Sequence, residues 1–132
     1  MKVLALDFGS ARTGVAVSDP TGTLARPLET IEHAATAPGL ERIAELVRRE
    51  APERIVVGLP LTLRGEHGLQ AQETERFIEA LERAVDVPVE RFDERFTSVL
   101  ASSEAGSAAG LDARAAAHLL SGYLEWASRN RS

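Results

Sequence analysis

Val3-Leu-Ala-Leu-Asp7-Phe-Gly9-Ser-Ala-Arg12-Thr-Gly14-Val-Ala-Val-Ser-Asp19 is the stretch that decides how this chain folds. Val3 to Leu6 is an apolar run of strand length, and Val15 to Val17 is a second. Glycines at 9 and 14 bracket the connection between them, so the pair reads as a β-hairpin. Asp7 closes the first strand behind aliphatic neighbours. An ionised carboxylate there is costly to bury unless a cation, a donor or water meets it. An aspartate can also close a turn by accepting the N–H groups of Gly9 or Ser10. The segment alone supports both readings, and acids further along the chain tip the balance.

Working outward, 132 residues fit one domain with a proper core, and 1–132 is read as a single domain. Hydrophobic residues at 44% and charged residues at 27% are ordinary for a soluble globular protein. No apolar run approaches bilayer length and no leader pattern is seen, so a cytoplasmic protein with no membrane partner is expected. Without cysteine there is no disulfide framework, thiolate metal site or thiol nucleophile. Fifteen basic against twenty acidic residues gives a net charge of −5. That argues against coating nucleic acid through a strongly basic surface, yet leaves room for a local basic groove beside an acidic site. Every basic residue but Lys2 is arginine, whose planar fork binds phosphate bidentately.

Beyond the hairpin, Pro20-Thr-Gly22 marks a turn and Leu24 to Ile31 a third strand, which Pro27 confines to an edge or a bulge. His33 to Gly39 reads as a loop. Leu40, Ile43, Ala44 and Val47 recur at helical spacing, predicting a helix over 39–50 that stops before Pro52. Arg54 to Pro60 is a continuous apolar strand of the doubly buried kind. A glycine-bearing loop, Leu61 to Gly68, follows it. Thr74, Phe77, Ile78, Leu81 and Val85 mark a second helix, and Val87 to Phe92 a fifth strand ending at Asp93-Glu94-Arg95. Thr97 or Ser98 caps a short helix to about Ala105. Gly106 to Gly110 reads as a loop, and the last helix runs from Asp112 to about Ser128. This order describes a three-layer α/β domain.

Such a sheet brings acids from distant parts of the chain to one edge. Asp7 ends the first strand, Asp93 and Glu94 end the fifth, and Asp112 opens the last helix. Three, four, seven and eight residues after Asp112 come Ala115, Ala116, Leu119 and Leu120, so Asp112 points along the packed side of its helix. Taken singly, Asp112 is a carboxylate favoured by the helix dipole, and Asp93-Glu94-Arg95 a solvated charge run. Taken together, they lie where open α/β sheets form their sites. Clustered carboxylates hold protons unless cations compensate them. An oxygen-only set suits Mg²⁺ or Mn²⁺, and two such ions serve phosphodiester cleavage. Adjacent strand residues face opposite ways, so only one of Asp93 and Glu94 points directly into such a site.

Arg12 lies in the hairpin loop beside Asp7, Arg64 and His67 in the loop after the fourth strand, and Arg95 beside the acidic pair. These residues, with Thr97 or Ser98, are candidate phosphate contacts, although each taken alone reads as a surface residue. His118 falls off the main apolar stripe of the last helix and is read as structural or exposed. Tyr123 and Trp126 are read as packing that helix.

At these residues the sequence resembles a known family. LALDFGSARTGVAVSD (4–19), IVVGLPLTLRGEHGLQAQE (55–73), FDERFTS (92–98) and LDARAAAHLLSGYLE (111–125) resemble, in order, the motifs of the YqgF/RuvX family. These are pre-16S rRNA nucleases, also described as Holliday-junction-resolvase-like proteins. The resemblance covers nearly the whole chain. It implies a ribonuclease H-like fold, a five-stranded mixed sheet of order 3-2-1-4-5 with strand two antiparallel and helices on both faces. It implies Asp7, the Asp93-Glu94 end of strand five, and Asp112 as metal-binding catalytic acids, with Asp7, Glu94 and Asp112 taken as the ligand set. Arg12, Gly58, Pro60, Gly65, Arg95 and Thr97 match motif positions that shape the site or hold phosphate. The family often has a lysine just ahead of its last aspartate, where this chain has Gly110-Leu111. Cytoplasmic maturation of the small-subunit rRNA precursor at its 5′ end is the implied role.

Four functions stay open on sequence. The first is a two-metal endonuclease on structured RNA, with ribosomal precursor particles as partners. The second is a resolvase of branched DNA, which predicts a two-fold homodimer. Asp-x-Gly-Ser after a first strand also resembles the phosphate loop of actin-like and sugar-kinase ATPases, which use two copies of such a fold where this chain has room for one. The fourth is a non-catalytic RNA-binding assembly factor.

Overall fold

The computed structural model describes residues 1–62, 64–96 and 108–130. Five strands form a mixed sheet: β1 (Val3–Asp7), β2 (Arg12–Ser18), β3 (Ala25–Glu32), β4 (Arg54–Leu59) and β5 (Val89–Asp93), in the order β3-β2-β1-β4-β5. The antiparallel strand is β2, which pairs with both β1 and β3, while β1, β4 and β5 run parallel. Three helices complete the described chain: α1 (Ala37–Glu50), α2 (Leu69–Ala84) and α3 (Ala108–Asn130). A 3₁₀ turn over Glu94–Phe96 continues from β5. This is the sheet order and direction that the family resemblance implies.

Side-chain alternation sorts the sheet into two faces. Leu4, Leu6, Val15, Val17, Ile55 and Val57 pack with Ile43 and Leu46 of α1 and with Phe77, Ile78 and Leu81 of α2. Val3, Ala5, Ala16, Val56 and Phe92 pack with Ala116, Leu119, Leu120 and Tyr123 of α3. Both faces of β1 are therefore dry, which explains its unbroken aliphatic run. Each leucine that α3 buries contributes about 1.5–3 kcal/mol. A polar clasp ties α3 to the sheet as well. The Tyr123 hydroxyl donates to Glu90 Oε1 (2.8 Å) and accepts from Arg54 Nη1 (3.1 Å), and Arg54 Nη1 also donates to Glu90 Oε1 (2.9 Å).

Pro27 sits on the edge strand β3 opposite Ala16, where the β2–β3 register shifts, as a strand proline requires. α1 starts at Ala37, two residues before the expected start, because Thr36 caps it through a hydrogen bond from the Gly39 N–H and Pro38 fits its first turn.

Two sequence expectations are corrected. Gly14 does not bound the first hairpin but lies inside β2. α3 begins at Ala108, so part of the expected 106–110 loop is helix. Gly110 costs roughly 1 kcal/mol inside a helix, which the packing of α3 over β2 offsets. Asp112 consequently lies in the second turn of α3 and not at its opening. The expected short helix from Thr97 to Ala105 falls outside the described residues. Among the described residues, no helix is long and apolar enough to cross a membrane.

Candidate functional site

Asp7, the last residue of β1, alternates onto the α3 face with Val3 and Ala5. Its cross-strand partner on β2 is Gly14, and the pairing of Leu6 with Val57 puts Gly58 of β4 beside it on the other flank. Asp7 therefore lies between two strand glycines, and each is there for space. A Cβ on Gly14 would overlap the backbone carbonyl of Asp112, so α3 crosses β2 at a distance that only glycine permits. A Cβ on Gly58 would lie 2.8 Å from Cγ of Glu94 and 3.1 Å from Cδ1 of Leu119. The two gaps bring the helix backbone and the Glu94 side chain in towards Asp7 from opposite sides.

The same arrangement separates Asp93 from Glu94. Phe92 packs on the α3 face, so Asp93 alternates to the other face, and the 3₁₀ turn folds Glu94 back over Gly58. Asp93 is held by Arg95. Arg95 Nε lies 3.0 and 2.9 Å from the two carboxylate oxygens, Nη2 lies 2.5 Å from Oδ2, and the backbone N–H of Arg95 donates to Oδ1 at 2.9 Å. These hydrogen bonds hold the Asp93 carboxyl below its ordinary range.

Glu94 and Asp7 form a carboxyl pair. Burial pushes both up, and the charge of each neighbour adds to the effect. Glu94 reaches about 7, through burial first, then the charge of Asp7 and the hydrogen bond it donates to Asp7. Asp7 is raised by burial and by the charge of Asp112, with the hydrogen bond from Glu94 opposing. Near neutral pH the metal-free pair shares a proton. Asp112 Oδ2 is buried with no hydrogen-bond donor among the described residues, and its counter-charge is Arg12 Nε at 3.0 Å.

The other expected site residues scatter. Arg64 is exposed in the loop after β4. Gly65 of that loop, with φ +81, lies against the Arg95 guanidinium. His67 Nε2 lies 3.6 Å from Glu75 Oε2, and Glu75 also takes Arg91 Nε at 2.6 Å. Thr97 falls outside the described residues. His118 is exposed, Tyr123 is buried, and Trp126 packs on the same cluster. Among the described residues, no three acidic or imidazole groups lie close enough together to enclose a metal ion. Asp7 and Glu94 are drawn together while Asp112 is drawn to Arg12. Sequence reasoning missed what Gly14 does. Its signal was a glycine directly before the apolar run Val15 to Val17, where strand glycines mark a close backbone approach.

A family model described as RuvX, Holliday junction resolvase, matches residues 1–126. The chain belongs to the RuvX family. RuvX proteins are nucleases, hydrolases of phosphodiester bonds, and several RuvX relatives align at high identity. One from Chloroflexus aggregans, named "Putative pre-16S rRNA nuclease", is 50% identical over 99 residues, covering 75% of this chain and 70% of its own. Proteins of the same name from Chloroflexus aurantiacus (43% over 131 residues, 93% and 86% covered) and Rhodococcus jostii (41% over 140 residues, 96% and 79%) extend the match. Among solved structures, Thermus thermophilus RuvC in complex with a Holliday junction substrate superposes with a TM-score of 0.62 at 20% identity, covering 98% of this chain and 95% of that one. That likeness establishes the shared ribonuclease H-like fold.

Proposed function

We propose that this RuvX protein is a divalent-metal-dependent endonuclease that trims the 5′ end of the small-subunit rRNA precursor. The observation that carries the reading is the buried Asp7–Glu94 carboxyl pair, with Asp112 brought in over Gly14. The relatives' name supplies the substrate class. Among the described residues no three acids stand close enough to enclose an ion, but the hydrogen-bonded carboxyls of Asp7 and Glu94 and the buried, donor-less Oδ2 of Asp112 offer oxygen alone, the donor type that suits a hard cation such as Mg²⁺ or Mn²⁺. Asp7, Glu94 and Asp112 would hold the ions, whose chemistry is to lower the pKa of a bound water and to neutralise the leaving oxygen. The chain's own contributions are distinct. Gly14 and Gly58 fix where the acids stand, and the Asp7–Glu94 pair gives up its shared proton when ligating. Arg95, clamped to Asp93 over the glycine turn at Gly65, holds that carboxylate away from the pair. Nucleic acid is the partner, and the cytoplasm, where precursor rRNA is matured, is the compartment.

The family description favours a second reading, cleavage of branched DNA. The two separate in one assay with purified protein, Mg²⁺ or Mn²⁺, a precursor 5′ segment and a four-way DNA junction. Preferential cutting of the RNA supports the first reading. Symmetric cutting of the junction by a two-fold dimer supports the second.

A further inference from the structure

Arg12 opens β2 and shares a face with Gly14 and Ala16, two and four residues on. Its guanidinium Nε lies 3.0 Å from Asp112 Oδ2, yet that buried oxygen receives no directed hydrogen bond from any described residue. The two partners differ in freedom. Asp112 is pinned, because its backbone fills the gap over Gly14. Arg12 is not: 45% of its side chain is exposed, and it stands on the end of a strand beside the hairpin loop. A contact at ionic distance without hydrogen-bond alignment, between one fixed and one partly exposed partner, is inexpensive to break from the exposed side. It is also needed, since Asp112 carries a partly desolvated charge close enough for Asp7 to feel it.

We infer that Arg12 is a tethered stand-in cation: it neutralises Asp112 while the acidic site is empty of metal, and on metal loading it leaves Asp112 and turns to a phosphate of the bound strand. This rests on the metal-dependent reading above and adds an order of events to it. The phosphate-binding arginine becomes available only when the acids are correctly charged. Nucleic acid would then be gripped by the loaded site and held less tightly by the empty one.

The test follows the arginine itself, not cleavage. ¹⁵Nε–¹H signals of arginine side chains are recorded during a Mg²⁺ titration, with Arg12→Lys to assign the Arg12 resonance. Asp112→Asn gives the signature of a released Arg12 without metal. Substrate affinity is measured in parallel for wild type and Arg12→Ala, with Ca²⁺ and with chelator, on a strand whose scissile linkage resists hydrolysis. The expected result is that saturating Mg²⁺ moves the Arg12 signal to its Asp112→Asn position. Arg12→Ala should then weaken strand binding about tenfold with Ca²⁺ and less than twofold with chelator, the scale of one charge-assisted phosphate contact. An Arg12 signal that does not move while calorimetry shows Mg²⁺ binding, or an equal affinity loss in both conditions, overturns the inference and leaves the metal reading standing. Absence of any Mg²⁺, Mn²⁺ or Ca²⁺ binding overturns both.

Discussion

Gly14 faces Asp7 across the β1–β2 ladder, and the space its missing side chain leaves is filled by the carbonyl of Asp112. One glycine thus sets the distance between an acid on the sheet and an acid on the helix above it. The candidate site depends on this contact as much as on its carboxylates.

Gly14→Ala should therefore be severe. The new methyl meets helix backbone, which cannot rotate aside, so α3 must lift from β2. The expected loss is about 1–3 kcal/mol of stability by denaturant unfolding, with cleavage abolished. A variant of wild-type stability would show that α3 does not sit so close.

Gly58→Ala should behave differently. Its methyl meets the Glu94 side chain, which can swing away. Stability should fall by less than about 1 kcal/mol while activity falls at least as far as in Glu94→Gln. Equal stability losses in the two glycine variants would contradict the difference between a backbone and a side-chain neighbour.

Glu94 gives the metal-free protein a pH signature. Its folded-state pKa, about 7, lies above its ordinary value of 4.5. The folded state therefore binds the proton more tightly than the unfolded chain. That contribution is fully present below about 4.5 and is lost as pH rises through about 7. Chelated wild type should lose stability over that window, and Glu94→Gln should flatten the slope. Metal affinity should rise across the same window, since the shared proton must leave. A chelated protein whose stability does not change from pH 5 to 7.5 would argue against the buried pair.

Asp93 and Glu94 should separate in function. Asp93 faces away from Phe92 and is clasped by Arg95, so Asp93→Asn should lower cleavage by less than about tenfold, where Glu94→Gln should lower it by about a hundredfold or more. The reverse order would exchange their roles.

Much of this was legible in the chain. The aliphatic run before Asp7 announced a strand, the run from Arg54 to Pro60 announced one buried on both faces, Pro27 announced an edge or a bulge, and the Leu119–Leu120 stripe placed Asp112 towards the sheet. The alternation rule said that one of Asp93 and Glu94 must turn away, but naming which needed the 3₁₀ turn that follows Asp93, a feature with no periodicity to read. The start of α3 was hidden because glycines at 106 and 110 look like a loop, and tertiary packing overrode that weak local preference. The pairing of Arg12 with Asp112 joins residues a hundred positions apart, and no local pattern records it. Gly14 was visible but was given to the turn, when its position inside a strand pointed to a neighbour passing overhead.

The most direct measurement is cleavage of a precursor-rRNA 5′ segment by wild type and Asp7→Asn, with Mn²⁺ or Mg²⁺ and with chelator, folding verified by circular dichroism. Metal-dependent cutting by the wild type, lost by a factor of about a thousand or more in a folded Asp7→Asn protein, is the expected result. A folded Asp7→Asn variant that cuts at the wild-type rate would contradict the assignment of the site.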